Sequence, residues 1–101
     1  MKIVNEKSKI ETGNNEEILK KIIIKMKEIK IETTDLNQMK EVFKNIQALR
    51  TYVSYQYALT TNKEFKSKLN ILLKNLSYMF DTQSRILTII ELENNFRRRL
   101  S

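Results

Sequence analysis

Between residues 14 and 101 the chain contains neither proline nor glycine: Gly13 is its only glycine and proline is absent altogether. The two strongest interrupters of regular backbone are therefore missing from most of its length, and long helices are the expected outcome. Apolar periodicity agrees, with spacings of three and four residues recurring throughout.

A first helix is expected over about 15 to 31, opened by Asn14 as a cap with Glu17 reaching back to it. Ile18, Ile22, Met26 and Ile29 form its inner stripe, widened by Leu19 and Ile23. Lys20, Lys21, Lys25, Lys27 and Lys30 cover its outer side. Asp35 and Gln38 resemble a second capping box, followed by Leu36, Met39, Phe43, Ile46, Leu49, Val53 and Tyr57 at helical spacing, so helix 2 is expected over about 36 to 59. Thr61 and Glu64 form a Thr-x-x-Glu start signal, which places a hairpin turn at 60 to 62 between antiparallel helices 2 and 3.

In helix 3, Phe65, Leu69, Leu72, Leu76 and Met79 alternate steps of four and three, the spacing of a bundle seam. Asp81-Thr82-Gln83-Ser84 reads as a polar turn before a fourth helix carrying Ile86, Leu87, Ile89, Ile90, Leu92, Phe96 and Leu100. The alternative is that Gln83 occupies a seam position and helices 3 and 4 merge into one rod. We expect the break, because a monomeric bundle needs the chain to return on itself. The fold class is then all-α, an antiparallel bundle of four helices spanning 14 to 101, behind a loosely ordered arm over 1 to 13 anchored only by Ile3, Val4 and Ile10.

With 41% apolar and 31% charged residues, the 101-residue chain suits one soluble core. Its longest aliphatic run, Ile22-Ile23-Ile24, is far short of a bilayer span, and no apolar segment follows Met1-Lys2. Cysteine is absent, which together points to a cytoplasmic setting. The net charge is +7 with a pI near 9.7. That basicity invites an anionic partner, but Lys, Ile and Asn together exceed a third of the chain, a bias that AT-rich coding also produces.

Without histidine or cysteine the chain offers no nucleophilic triad and no thiolate or imidazole metal site. One glycine cannot build a phosphate-cradling loop. Glu91 and Glu93 diverge on a helix, and Glu16 and Glu17 suit a first turn. We expect no enzyme, no cofactor and no metal.

What remains is contact by surfaces. Tyr52 and Tyr55, beside Tyr57, join apolar rings to polar tips, which suits either the edge of a core or an interface. Lys63 and Lys66 belong to a basic stretch over 61 to 80, and Arg97, Arg98 and Arg99 close the chain, where cations suit a helix C-terminus as well as phosphate contact. The first helix interleaves glutamates with its lysines, so it reads as a packed helix rather than a membrane-surface one. Helices 2 and 3 are too long for a helix-turn-helix reader, and nucleic-acid binding rests on charge alone. The expected partner-contact residues are thus Tyr52, Tyr55, Lys63, Lys66, Arg97, Arg98 and Arg99.

From Leu49 to Phe80 the chain reads LRTYVSYQYALTTNKEFKSKLNILLKNLSYMF. The Tyr-rich end of helix 2, the Thr61-Asn62-Lys63 turn and the run Leu72-Leu73-Lys74-Asn75-Leu76-Ser77 resemble the immunity proteins of enterocin A and pediocin-type bacteriocins. The resemblance covers about a third of the chain. It implies a cytosolic antiparallel four-helix bundle that protects a bacterium from a pore-forming peptide by engaging a sugar transporter at the inner membrane face. It also implies that specificity lies in Ile86 through Leu100 with the Arg97 to Arg99 cluster. The rival readings are a phage- or plasmid-encoded helical regulator of a host protein or nucleic acid, and a homo-oligomeric adaptor, which an unbroken rod would favour over a monomer.

Overall fold

The computed structural model describes residues 2 to 100, with side chains from 14 to 99. Among them there are three α-helices and no strand: α1 (Lys2–Glu28), α2 (Leu36–Leu59) and α3 (Lys63–Leu100). The all-α class holds, whereas the expected four helices are three. The expected arm over 1 to 13 falls on residues whose side chains lie outside the described set. The backbone of α1 runs through Gly13 and Asn14, so Asn14 does not open a helix.

Helix α2 has the expected limits, and its start is built as the sequence implies. The Asp35 carboxylate accepts from the N–H groups of Asn37 at 2.9 Å and Gln38 at 3.3 Å. Gln38 does not close the box. Its side-chain oxygen accepts from the Thr33 hydroxyl, whose oxygen accepts in turn from the Asp35 N–H. At the hairpin turn the cap of α3 is Asn62 rather than Thr61: its side-chain oxygen accepts from the Phe65 N–H at 3.0 Å. Glu64, expected to reach back, pairs instead with Lys68 at 3.3 Å.

The largest departure lies at 81 to 84, where no turn forms and α3 runs on for 38 residues, about 57 Å. Gln83 is fully buried. Its amide nitrogen donates to the Thr33 carbonyl at 2.7 Å and its oxygen accepts from the Thr33 N–H at 3.1 Å. One side chain thereby satisfies both backbone groups of a residue in the α1–α2 connection, and each of its two polar atoms has a partner. Thr88 donates its hydroxyl back to the Ser84 carbonyl, so a second polar group of the segment is satisfied within the helix.

Helices α2 and α3 are antiparallel. Lys66 lies over Tyr57 near the turn, and Phe80 meets Phe43 edge to face at 5.2 Å farther along. The core joins Ile22 of α1 to Val42, Ile46, Leu49 and Val53 of α2 and to Phe65, Leu69, Leu72 and Leu76 of α3. Helix α1 ends at Glu28, three residues before its expected limit, because the chain must reverse toward the Gln83 anchor. It does so through Glu32, at φ 68°. Leu36 and Ile23, expected on inner stripes, are exposed, and Val42 takes a core place that the sequence reading did not assign. The molecule is elongated, 76 × 19 × 14 Å, with a radius of gyration of 18.8 Å against about 13 Å for a compact chain of this length.

Replacing Gln83 with Leu removes both bonds to Thr33 and should lower unfolding free energy by about 1 to 3 kcal/mol in urea titrations. Gln83→Glu should cost more at neutral pH, since an ionised carboxylate cannot donate to the Thr33 carbonyl and burial disfavours its charge. Burial raises its pKa in the folded state, so the lost stability returns as pH falls through that raised folded value and is fully regained by the unfolded value of about 4.3, where the neutral acid can donate and accept as the amide does. Glu32→Gly should stabilise by about 0.5 to 1 kcal/mol, because a left-handed backbone penalises a β-carbon more than glycine's chain entropy costs.

Candidate functional site

The surface of α2 is divided by the helical repeat. Residues stepping from Met39 through Ile46 and Leu49 to Val53 face inward, which turns Ala48, Tyr52, Tyr55 and Leu59 outward. Tyr52 and Tyr55 are 42% and 61% exposed, so the aromatic stripe lies on the surface rather than in the core. Tyr57, one position out of that stripe, is half-buried against the core.

Lys63 begins α3 and is exposed; a cation at a helix N-terminus gains nothing from the helix dipole. Lys66 is half-buried with its ammonium 4.6 Å from the centre of the Tyr57 ring, close enough for a cation–π contact. The hairpin end therefore gathers Tyr55, Lys63 and Lys66 around one turn. Part of its charge is structural, because Lys68 is paired with Glu64.

Arg97, Arg98 and Arg99 occupy the last turn of α3 and are exposed, where positive charge is favoured by the helix C-terminus. Along α3, Lys66 and Arg97 are about 46 Å apart. The seven expected contact residues are thus dispersed: Tyr55, Lys63 and Lys66 lie toward the hairpin turn, Tyr52 lies farther along α2, and Arg97, Arg98 and Arg99 lie at the far end of α3, so a single chain does not bring them together.

The tail group stands on an unusual support. Antiparallel pairing leaves nothing of α2 opposite α3 beyond the start of α2 at Leu36. Every side chain from Glu91 to Arg99 is exposed, including Leu92 and Phe96 at 63% each. About 25 Å of helix extends past Gln83.

Two features were not assigned from sequence. Arg50 of α2 places its guanidinium 5.7 Å from the centre of the Phe80 ring, closing an Arg50–Phe80–Phe43 stack across the α2–α3 seam. The spacing of Phe43 and Phe80 offered no local signal for it. Between α1 and α2 lies a groove of about 530 Å³ with an apolar floor at Ile22 and Leu49 and a rim of Lys21, Lys25, Asn45 and Tyr52. Among the described residues no three metal-ligating side chains converge, and no helix is long and apolar enough to cross a membrane. No protein-family model matches the chain, and neither curated proteins nor solved structures yield a match.

Exposure separates contact from core in a measurable way. Tyr55→Ala should change unfolding free energy by no more than about 0.5 kcal/mol, as surface substitutions do. Leu69→Ala, at a fully buried position, should cost about 2 to 5 kcal/mol in the same denaturant series.

Proposed function

We propose that this chain is a non-enzymatic helical binding protein that acts by surface contact, with the projecting end of α3 and its arginines as the principal contact. The observation that carries this reading is the exposure of every side chain from Glu91 to Arg99 on a helix that the bundle holds only as far as Gln83 and its neighbours. A segment so placed can reach a partner without disturbing the core.

Of the roles such a protein can play, the immunity-like one fits best with the Leu49-to-Phe80 resemblance. That resemblance implies specificity in Ile86 through Leu100, a segment that includes the exposed stretch from Glu91 to Arg99. The partner would then be a membrane transporter met at its cytoplasmic face by a peripheral, basic protein. The architecture departs from the four-helix bundle that the resemblance implies, since α3 occupies the place of the last two helices. Tyr55, Lys63 and Lys66 near the hairpin turn would form a second patch, with Tyr52 farther along α2 on the rim of the α1–α2 groove.

Expression in a bacterium sensitive to a pediocin-type peptide should raise its resistance, and replacing Arg97, Arg98 and Arg99 together by alanine should abolish that gain while leaving helicity unchanged, since exposed terminal charges contribute little to stability. Growth inhibition assays with circular dichroism of the purified variant check both halves. Unchanged sensitivity across a panel of such peptides refutes the immunity role. Retention on duplex DNA at physiological ionic strength, with affinity falling steeply in added salt, would assign the arginines to phosphate instead.

A further inference from the structure

A second apolar line runs along α3, opposite its buried one. Residues 71, 75, 78, 82, 85, 89, 92, 96 and 99 follow one another by four and three, the heptad spacing that lets two helices pack side by side. On this line Ile71, Tyr78, Ile89, Leu92 and Phe96 are 55–68% exposed. The buried line, with Leu69, Leu72, Leu76 and Gln83, faces α1 and α2.

We propose that the outer line of α3 is the contact between two copies of this chain, paired antiparallel about a two-fold axis passing between Gln83 and Ser84. The pattern is its own complement in that register. Ile71 of each copy meets Phe96 of the other, and Tyr78 meets Ile89, so apolar faces apolar. Leu92 lies opposite the smaller Asn75, and Arg85 lies opposite Thr82. The same arrangement places the Arg85 guanidinium of each copy within reach of the Asp81 carboxylate of the other, a pair of symmetric charge contacts at the centre. A two-fold interface requires such self-complementarity, and an unrelated partner does not. Pairing extends over about 38 Å of helix, enough for the lower range of stable interfaces. An uncovered line of this length would leave an apolar stripe in water.

The arrangement also completes the contact surface. Arg97, Arg98 and Arg99 of one copy come level with residues 68 to 70 of the other, within about two turns of its Lys63 and Lys66. The two groups that one chain holds at opposite ends of α3 are united across the pair, with the Glu64–Lys68 ion pair beside them. This inference does not depend on the immunity reading.

The intact chain should sediment with twice its 12.1 kDa mass from low micromolar concentration upward, and Leu92→Glu, at an exposed position, should sediment as a monomer with unchanged helicity. Because cysteine is absent, single substitutions report the register without background. Ile71→Cys and Phe96→Cys proteins mixed and oxidised should form a 71-to-96 disulfide, while neither alone crosslinks. A monomer at all concentrations overturns the proposal, as does equal crosslinking of Ile71→Cys with itself, which marks a parallel pair. Monomeric protein that partitions onto phosphatidylglycerol vesicles, and loses this with Leu92→Glu, assigns the line to a lipid surface and also overturns it. A dimer that protects no cell leaves this inference standing while the immunity role fails, and a protective monomer does the reverse.

Discussion

The pair of hydrogen bonds between the Gln83 amide and the backbone of Thr33 ties together parts of the chain that nothing else joins so directly. A buried amide without partners would be a strong reason for α3 to break at its polar segment. With Thr33 supplying one donor and one acceptor, the same amide becomes a reason for the helix to continue. The bonds also hold the α1–α2 connection against α3, just ahead of the Asp35 cap that starts α2. Glu32 accepts a left-handed backbone in order to present Thr33 in that position. The unbroken α3 and the position of the α1–α2 connection meet at this contact, while apolar packing of Ile22 and its neighbours holds α1 in the core.

Legibility in the sequence followed the range of the interactions involved. Asp35 and the turn at 60 to 62 were readable because a cap and a tight connection are settled by residues a few positions apart. The inward line of α3 was readable for the same reason, since its spacing is local. The continuity of α3 was not, because Gln83 is satisfied by a residue fifty positions away and its local neighbours, Asp81, Thr82 and Ser84, all favour a turn. The cap at Asn62 was obscured by a competing signal one residue earlier, where Thr61 and Glu64 have suitable chemistry but Glu64 is drawn to Lys68. As to the candidate site, residue type left Tyr52 and Tyr55 open between core edge and interface, and Lys66 is half-buried against Tyr57. The separation of Lys66 from Arg97 along a single rod became visible only once the expected turn was gone.

The same loss removes the ground for expecting a self-contained monomer. A chain that folds back at 81 to 84 buries its last apolar residues on itself. A chain that runs straight presents them outward, on a surface that is basic at both ends and apolar between.

The unbroken helix α3 has a further consequence for dynamics. Its amides around Leu69, Leu76 and Gln83 lie in the core and exchange with solvent only when the whole molecule opens, whereas those beyond Glu91 are held by helical bonds with no packing beside them. A helical stretch of that length is marginal in water by itself. One continuous element therefore contains both strongly and weakly protected amides. Anything that covers the tail extends protection toward the C-terminus, so amide protection along α3 is a direct gauge of whether its end is occupied.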